Sequence, residues 1–334
     1  MKIIVTLNGY FNYGNRLQLF ALGRVLLKLG DKAMAYWPKK LRSVCKEIIK
    51  YDILYNNSKE AKLRRFTGMY IPKRTGALSG PYVIVGSDQV WNPNYYSKHT
   101  YLLDPLGGEK RISYAASLGV DELTEEQKRR FRSALKHYDS ISVREGSAQK
   151  LLQPLTNKKV EVVLDPTLLL DKMEYIELES MPKELNNGEK YILCYILGGR
   201  DYLRAINEFA TKHDYRIILF SDKKDSNYGV EEFLYLIHHA ELICTDSFHA
   251  CVFSFIFERP FVAFRRTGEA DYMYSRLQNL IDTFKLKDRE FNGRNITEKN
   301  IKVDYTEAKE ILKKEQEKSL QFLKNALGVK DEGR

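Results

Sequence analysis

Short apolar runs alternate along the chain with longer stretches whose apolar positions recur every third or fourth residue. The first pattern is typical of buried strands and the second of helices that cover them. The predicted strands are Lys2–Thr6, Ala33–Trp37, Pro81–Gly86, Arg111–Ser117, Ser140–Val143, Val160–Leu164, Tyr191–Leu197, Arg216–Phe220, Leu242–Cys244 and Phe261–Phe264. This order predicts an α/β fold with parallel sheets and right-handed crossovers.

Helices are predicted between and after these strands. They are Asn15–Leu29, Thr124–His137, Asp201–Lys212, Glu231–His239, Ser247–Phe257 and Asp304–Leu327. Gly30 and Gly328 follow two of them, as is typical of helix C-termini, and Thr124 with Gln127 forms a capping-box pattern. Residues 39–74 are basic, aromatic and poorly patterned, so we expect short helices and loop there.

A polar segment, residues 171–189, separates two series of strand-helix units. We therefore predict two Rossmann-like parallel-sheet domains that face each other across a cleft, formed by residues 1–170 and 190–300. Residues 301–334 include the last predicted helix, whose apolar positions form one stripe. We expect that helix to pack back on the body of the protein.

Composition narrows the class of protein. Hydrophobic residues make up 43% and charged residues 29% of the chain, as in ordinary globular proteins. The N-terminal apolar run is too short for a signal peptide, and no stretch reaches the ~18 apolar residues of a spanning helix. We expect a soluble, cytoplasmic protein. The four cysteines lack CxxC spacing, and we expect reduced structural thiols and no metal site.

The net charge of +10 has several possible explanations. It suits a solvated basic surface, a small anionic substrate, or peripheral contact with the inner face of an anionic membrane. Nucleic acid is not expected as a partner, because no zinc-finger, helix-turn-helix or RNP-like pattern is present. The chain also lacks GxGxxG and GxxxxGK[ST] motifs, which disfavours nicotinamide, flavin and P-loop chemistry.

Ligands of open parallel sheets bind beyond the carboxyl ends of the strands. That rule selects the loops 8–16, 86–92, 144–147 and 245–249. In the first, Asn15 caps a helix or binds a ligand, and Arg16 supplies charge or is solvated. In the third, Arg144 suits a phosphate or carboxylate, or forms an ion pair with Glu145.

The second loop carries Ser87, Asp88, Gln89 and Trp91. Asp and Gln suit sugar hydroxyls and a Trp face suits a sugar ring; the alternative is a turn with a structural Trp.

The fourth loop places His249 in the first turn of an otherwise apolar helix, beside Asp246 and Ser247. Such a histidine is either an acid/base group or a satisfied core residue. His238 and His239 are adjacent on their helix, so we expect them to be structural and not to reach one common site.

Taken together, these segments resemble the polysaccharide pyruvyl transferase family. The matching segments run in family order and are Asn12–Arg16, Gly86–Trp91, Tyr114–Gly119, Ser142–Glu145, Asp165–Pro166, Thr245–His249 and Arg259–Val262. The resemblance implies a fold similar to that of two-domain GT-B glycosyltransferases. It also implies transfer of pyruvate from phosphoenolpyruvate to two hydroxyls of a sugar, giving a cyclic ketal and phosphate without a cofactor.

On that resemblance, His249 is expected to be the acid/base group and Arg144 to hold the donor. The other expected donor contacts are Thr245, Ser247 and Arg265. The expected acceptor contacts, for a sugar or lipid-linked oligosaccharide, are Asn15, Arg16, Ser87, Asp88, Gln89 and Trp91.

One position departs from the family pattern. Many members have Arg-Leu-His where this chain has Ser247-Phe248-His249, so Arg265, Arg266 or Arg16 would have to supply the missing charge. A nucleotide-sugar glycosyltransferase and a non-catalytic carbohydrate-binding protein remain alternatives.

Overall fold

The computed structural model describes residues 1–38, 41–75, 80–95, 110–199, 201–220, 227–266 and 274–329. Its strands are β1 (Lys2–Val5), β2 (Ala33–Tyr36), β3 (Lys73–Arg74), β4 (Tyr82–Asp88), β5 (Lys110–Ala116), β6 (Ser140–Val143), β7 (Val160–Val162), β8 (Tyr191–Tyr195), β9 (Arg216–Phe220), β10 (Leu242–Thr245) and β11 (Phe261–Ala263). They form two parallel sheets, in the orders β3-β2-β1-β4-β5-β6-β7 and β11-β10-β8-β9.

Helices cover both sheets in the described part of the chain. They are α1 (Tyr13–Lys28), α2 (Leu41–Ile48), α3 (Lys59–Tyr70), α4 (Glu125–Leu135), α5 (Gly146–Leu152), α6 (Met173–Ile176), α7 (Leu203–His213), α8 (Val230–His238), α9 (Phe248–Ile256), α10 (Tyr274–Thr283), α11 (Glu298–Ile301) and α12 (Thr306–Leu327). A π-helical segment, Ile49–Leu54, continues α2. None of these helices combines the length and apolarity needed to cross a bilayer.

The predicted α/β fold with two parallel sheets and a C-terminal helix is confirmed. Each predicted strand is present, and the capping box of Thr124 and Gln127 forms at the start of α4. Strand β3 was not predicted, because two residues are too short for a hydrophobic pattern. Helix α1 begins at Tyr13, earlier than predicted, because Asn12 rather than Asn15 is its cap and accepts the backbone N–H of Asn15 at 2.9 Å.

One apolar cluster joins the two sheets. Tyr13 of α1 stacks on Phe233 of α8, with ring centroids 4.8 Å apart, and also contacts Tyr195 and Phe220 of the second sheet. Such a shared core fixes the two sheets relative to each other. The site at their carboxyl edges is therefore built on a rigid base.

The last helix, α12, returns to the first sheet. Its Ser319 hydroxyl accepts the backbone N–H of Leu164 at 2.9 Å, and its Gln316 amide donates to the carbonyl of Leu168 at 2.6 Å. Its buried Leu323 and Leu327 belong to the apolar cluster that joins the sheets. The domain boundary at 171–189 stays a prediction; this segment lies between the last strand of the first sheet and the first strand of the second.

Candidate functional site

The carboxyl ends of strands from both sheets open on a cavity of about 540 Å³. Polar side chains from the first sheet's loops that line it are Asn8, Asn12, Asn15, Asp88, Gln89 and Tyr95. Those from the second part of the chain are Ser247, His249, Arg266 and Arg276. Asn12 and Ser247 are the N-caps of α1 and α9, so two helix N-termini lie at this cavity. Their positive dipole ends favour an anionic ligand.

His249 lies in the first turn of α9, where it meets the first turn of α1. Its ring packs directly on the backbone of Gly14: a Cβ atom at position 14 would lie 2.0 Å from Nδ1 and 2.2 Å from Cγ of the imidazole. Any larger residue at position 14 would have to displace the ring. The two halves of the chain therefore fix the position of His249 together.

Behind His249 lies a buried carboxylate, Asp165. Its Oδ2 is 3.7 Å from Nε2 of His249, and it accepts hydrogen bonds from Nη1 of Arg144 at 2.7 Å and from the Ser87 hydroxyl at 3.2 Å. Burial alone would raise the pKa of Asp165, but the neighbouring His249 and Arg144 outweigh it and hold that pKa well below its usual value. The ionised carboxylate can compensate a positive charge on His249 when the ring takes up a proton.

Replacing Asp165 by asparagine is expected to lower the free energy of unfolding by about 3–5 kcal/mol at neutral pH, because it leaves the buried Arg144 without its closest carboxylate. Since the folded-state pKa of Asp165 lies below the unfolded value of about 3.9, its stabilisation is complete above that pH and is lost as the pH falls through the folded-state pKa. Urea unfolding at several pH values should therefore show the difference from wild type shrinking on acidification below pH ~4.

The exposed Asp121 provides a matched control for this comparison. We expect Asp121→Asn to unfold within about 0.5 kcal/mol of wild type. A difference between wild type and Asp165→Asn that stays constant down to acid pH would contradict the assigned charge state of Asp165.

Arg144 is not brought into the cavity, contrary to its predicted role as the direct donor contact. Its side chain is 3% exposed and ion-paired with Asp165, while Nη2 lies 3.7 Å from Asp88 and Nε 3.8 Å from Glu145. The guanidinium also covers the ring of Phe248, at 4.4 Å from its centroid. A cation held among three carboxylates positions those carboxylates rather than an incoming anion.

Three further predicted contacts are buried beneath the cavity and do not line it. Arg16 is fully buried and donates to the carbonyl of Leu7 at 2.7 Å; burial lowers its pKa to about 10, although nearby Tyr10 and Asp88 act in the opposite direction. Ser87 donates to Asp165, as described above. Thr245 donates to the carbonyl of Tyr195. These groups position the residues above them.

The prediction that Trp91 stacks on a sugar ring is wrong. The side chain is fully buried and packs edge-on against Phe131 and Tyr138, with centroids 6.1 and 5.4 Å away. The loop after β4 turns this apolar ring into the core and leaves Asp88 and Gln89 at the cavity.

Asp88 reaches the cavity through an unusual backbone conformation. It ends β4 with a positive φ of 72°, a region that non-glycine residues seldom adopt and that is often found at functional sites. Its carboxylate accepts a hydrogen bond from Asn15 at 3.2 Å. Burial alone would raise the pKa of Asp88, but Arg144, His249 and Arg276 outweigh burial and hold that pKa below its usual value. The carboxyl group is therefore ionised. Asp88 and Asn15 thus offer acceptor atoms for hydroxyl groups.

Arg16, Arg265 and Arg266 are the arginines that could supply the charge missing at Ser247. Of these three, Arg266 lines the cavity. Its Nε lies 3.4 Å from Oδ2 of Asp246, whereas Arg265 is exposed and does not line the cavity. Asp246 in turn accepts the backbone N–H groups of Leu197 and Gly198, both at 2.8 Å. The structure therefore brings Arg266, and not the predicted Arg265, to the cavity.

A second cavity arginine, Arg276 of α10, was not predicted. It is 9% exposed, and no carboxylate of the described residues forms an ion pair with it. The Gln89 amide is best oriented with its oxygen toward Arg276, where it accepts from Nη1 at 2.8 Å and Nη2 at 2.6 Å. Burial, together with nearby Arg144, lowers the pKa of Arg276 to about 10, although Asp88 and Glu145 act in the opposite direction. Arg276 therefore lines the cavity with a guanidinium group of the kind that binds phosphate or carboxylate.

The expectation that His238 and His239 do not reach one partner is also wrong. Both contact Glu179 of the segment before the second sheet, with distances of 2.8 Å from Nδ1 of His238 and 3.3 Å from Nε2 of His239. The two rings reach it because His239 follows the last residue of α8 and departs from helical geometry. This group lies apart from the residues of the cavity.

Comparisons with known proteins place these features in a family context. A family model described as polysaccharide pyruvyl transferase matches residues 12–268. Among curated proteins, none matches the chain significantly.

Three similar solved structures have low sequence identity. An uncharacterised Klebsiella pneumoniae protein is 14% identical, covering 89% of this chain and 92% of its own, with a TM-score of 0.46. UDP-GlcNAc 2-epimerase from Neisseria meningitidis, bound to UDP-GlcNAc, is 12% identical, covering 99% of this chain and 100% of its own, with a TM-score of 0.47. MurG from Acinetobacter baumannii is 8% identical, covering 98% of this chain and 99% of its own, with a TM-score of 0.37. None of these similarities bears on the substrate.

Proposed function

Because the chain belongs to the polysaccharide pyruvyl transferase family, we propose that it transfers pyruvate from phosphoenolpyruvate to two hydroxyls of one sugar during synthesis of a cell-surface or capsular polysaccharide. The products are a cyclic ketal and inorganic phosphate. The observation that carries this proposal is the presence, in one cavity, of His249 and the buried guanidinium of Arg276. A small donor with several negative charges needs fixed cations and an acid/base group, and this cavity contains both.

The donor is held by Arg276 and Arg266, together with the N-termini of α1 and α9. Guanidinium groups fit phosphate and carboxylate oxygens by paired hydrogen bonds. Asp88, Asn15 and Gln89, which the loops of the first sheet bring to the cavity, remain for the acceptor hydroxyls, and Gln89 also contacts Arg276. This division keeps the predicted acceptor role of these three residues and moves donor binding from Arg144 and Arg265 to Arg276 and Arg266.

The reaction needs two proton movements. The oxygen of the first hydroxyl bonds to the central carbon of phosphoenolpyruvate while the methylene carbon gains a proton and becomes a methyl group. The second hydroxyl then bonds to the same carbon, the carbon–oxygen bond to phosphate breaks, and phosphate leaves with the electron pair and the remaining proton. In our proposal His249 moves these protons, and the Asp165 carboxylate compensates its charge while it holds one.

The reaction is tested with phosphoenolpyruvate and a panel of mono- and oligosaccharides, free and lipid-linked. We expect release of inorganic phosphate that depends on an acceptor with a suitable hydroxyl pair, together with a new methyl signal of the ketal by NMR. Transfer from a UDP- or GDP-sugar to the same panel, without phosphate release from phosphoenolpyruvate, would instead establish a glycosyltransferase.

Replacing Arg276 by methionine is expected to weaken phosphoenolpyruvate binding about 10- to 100-fold, since a hydrogen-bonded charge contact contributes roughly 1.5–3 kcal/mol. The same change removes a buried cation that has no ion-pair partner among the described residues, so the apo protein should unfold at the same temperature or higher. Isothermal titration and thermal unfolding measure the two effects.

The matched control is Arg204→Met, because Arg204 is an exposed arginine on α7, paired with Glu208. It should change neither quantity appreciably. Unaltered donor affinity in Arg276→Met, or destabilisation of the apo protein with no change in affinity, would show that Arg276 has a structural role only.

A further inference from the structure

The net positive charge of this protein is concentrated in one segment. Residues 39–74 contain eleven Lys and Arg and three Asp and Glu, a net +8 out of the +10 of the whole chain. The segment follows β2 and contains α2, the π-helical segment, α3 and β3. A solvated basic surface would spread such charge over the molecule, so its concentration requires another explanation.

The same segment exposes large apolar side chains. Ile49, Ile53, Leu54 and Tyr55 are 52%, 66%, 66% and 59% exposed. Side chains of this kind are normally buried, and a group of neighbouring exposed ones marks an interaction surface. Lys46 and Lys50, both exposed, lie beside them in sequence. We call Lys46–Tyr55 the basic-apolar surface.

Two acidic residues, Glu47 and Asp52, lie within this surface and equal its two lysines in number. Asp52 forms an ion pair with Arg64 of α3, so its charge is already compensated. Lys50 lies over the ring of Tyr51, 4.8 Å from its centroid, and keeps its charge exposed. The positive field therefore comes from the whole segment 39–74, with its net charge of +8, and the surface adds exposed aliphatic groups to it.

The surface adjoins the mouth of the cavity. The ring of Tyr51 packs edge-on against that of Tyr10, at 6.2 Å, and Tyr10 stacks on Trp37 at the end of β2. Phe11, which follows Tyr10 in the chain, lines the cavity and is 61% exposed. Whatever binds the basic-apolar surface therefore lies beside the opening through which an acceptor enters.

We infer that the basic-apolar surface docks on an anionic lipid bilayer. Segments of this chemistry lie in the plane of a membrane, with aliphatic side chains at the boundary of the headgroups and acyl chains and lysines at the phosphates. A second copy of the chain would bring two segments of net charge +8 together, which repel each other. Docking here does not depend on the reaction; that it brings the cavity to a lipid-linked sugar rests on the proposed function.

The test is co-sedimentation of the full chain with phosphatidylcholine vesicles, with and without phosphatidylglycerol. We expect binding that requires phosphatidylglycerol and weakens at high salt. Lys46→Glu/Lys50→Glu should reduce binding about tenfold or more, since each cation near an anionic surface contributes roughly a fivefold change in affinity. Ile53→Glu/Leu54→Glu should also reduce binding about tenfold or more, because it removes two aliphatic side chains from the headgroup boundary and adds two negative charges.

Two controls are matched to these variants. Lys313→Glu/Lys314→Glu reverses two exposed lysines on α12, and Leu219→Glu alters a leucine that is 58% exposed on β9. Both should bind vesicles as wild type does. If the proposed function holds, all of these variants should keep wild-type affinity for phosphoenolpyruvate. A chain that does not bind phosphoenolpyruvate can still bind vesicles. Failure of the membrane proposal and failure of the proposed function can therefore be told apart.

Three results would overturn the inference. They are absence of wild-type binding to phosphatidylglycerol vesicles, equal binding by the basic-apolar variants, and equal loss of binding in the control variants. A dimer in light scattering that dissociates in Ile53→Glu/Leu54→Glu, without vesicle binding by wild type, would assign the surface to a second copy of the chain instead.

Discussion

Replacing His249 by alanine is expected to lower phosphate release from phosphoenolpyruvate about 10³-fold or more, with the fold retained. A positioned acid/base group typically contributes 10²- to 10⁴-fold, and His249 would serve two proton movements in the proposed reaction. Stability should change little, because the ring borders the cavity and Nε2 makes no hydrogen bond with the described residues. Steady-state phosphate release and circular dichroism measure the two effects.

His137, an exposed histidine after α4, provides the control, and His137→Ala should turn over as wild type. Undiminished phosphate release from His249→Ala would remove the acid/base assignment. If wild type binds sugars but shows no turnover with any donor, and His249→Ala binds them equally, the protein is a carbohydrate-binding protein and not an enzyme.

The second large effect is expected from a single methyl group at Gly14. An alanine Cβ there would lie 2.0 Å from Nδ1 of His249, so the imidazole, the start of α1 or both must shift. A displacement of about 1 Å at a catalytic group can cost about 10²-fold in rate. We expect Gly14→Ala to lower kcat by about that factor, as measured by saturation kinetics with phosphoenolpyruvate.

Gly23 lies on the same helix and is the matched control, because a Cβ atom there would meet nothing within 4 Å. Gly23→Ala should keep wild-type kcat and gain roughly 0.5–1 kcal/mol in urea unfolding, from the helix preference of alanine over glycine. A Gly14→Ala variant with wild-type kcat would show that the contact between α1 and His249 does not position the ring.

The sequence predicted the framework well, because the framework depends on local patterns. Uninterrupted apolar runs located the strands within a few residues, and Gly30 and Gly328 marked the ends of α1 and α12. The rule that ligands bind beyond strand carboxyl ends then selected loops that do border the cavity, including those of Asp88 and His249.

The sequence did not predict which side chains of those loops face the cavity. Asp88 and Trp91 belong to one loop, yet the first faces the cavity and the second packs in the core. That outcome depends on backbone angles and on the apolar space beneath β4, neither of which a short motif records. Arg16 and Arg144 were misjudged for the same reason: an arginine at a strand end serves a ligand or a buried carboxylate, and only the three-dimensional neighbours decide.

Arg276 and the contact between Gly14 and His249 depend on how the two sheets are placed relative to each other. Arg276 lies on α10, beyond the last recognised motif, and no loop rule selects a residue within a helix. Gly14 reads locally as the start of a helix, where its lack of a side chain has no evident purpose. Both become informative once the second sheet brings α9 and α10 to the first.

The central claim is that the cavity is built for phosphoenolpyruvate, and its most direct test needs no knowledge of the acceptor. Thermal unfolding of the full chain is measured with phosphoenolpyruvate, UDP or GDP at increasing concentrations. We predict that phosphoenolpyruvate raises the unfolding temperature in a saturable manner, that Arg276→Met largely loses this effect, and that the nucleotides have none. Stabilisation by UDP or GDP but not by phosphoenolpyruvate would contradict the account.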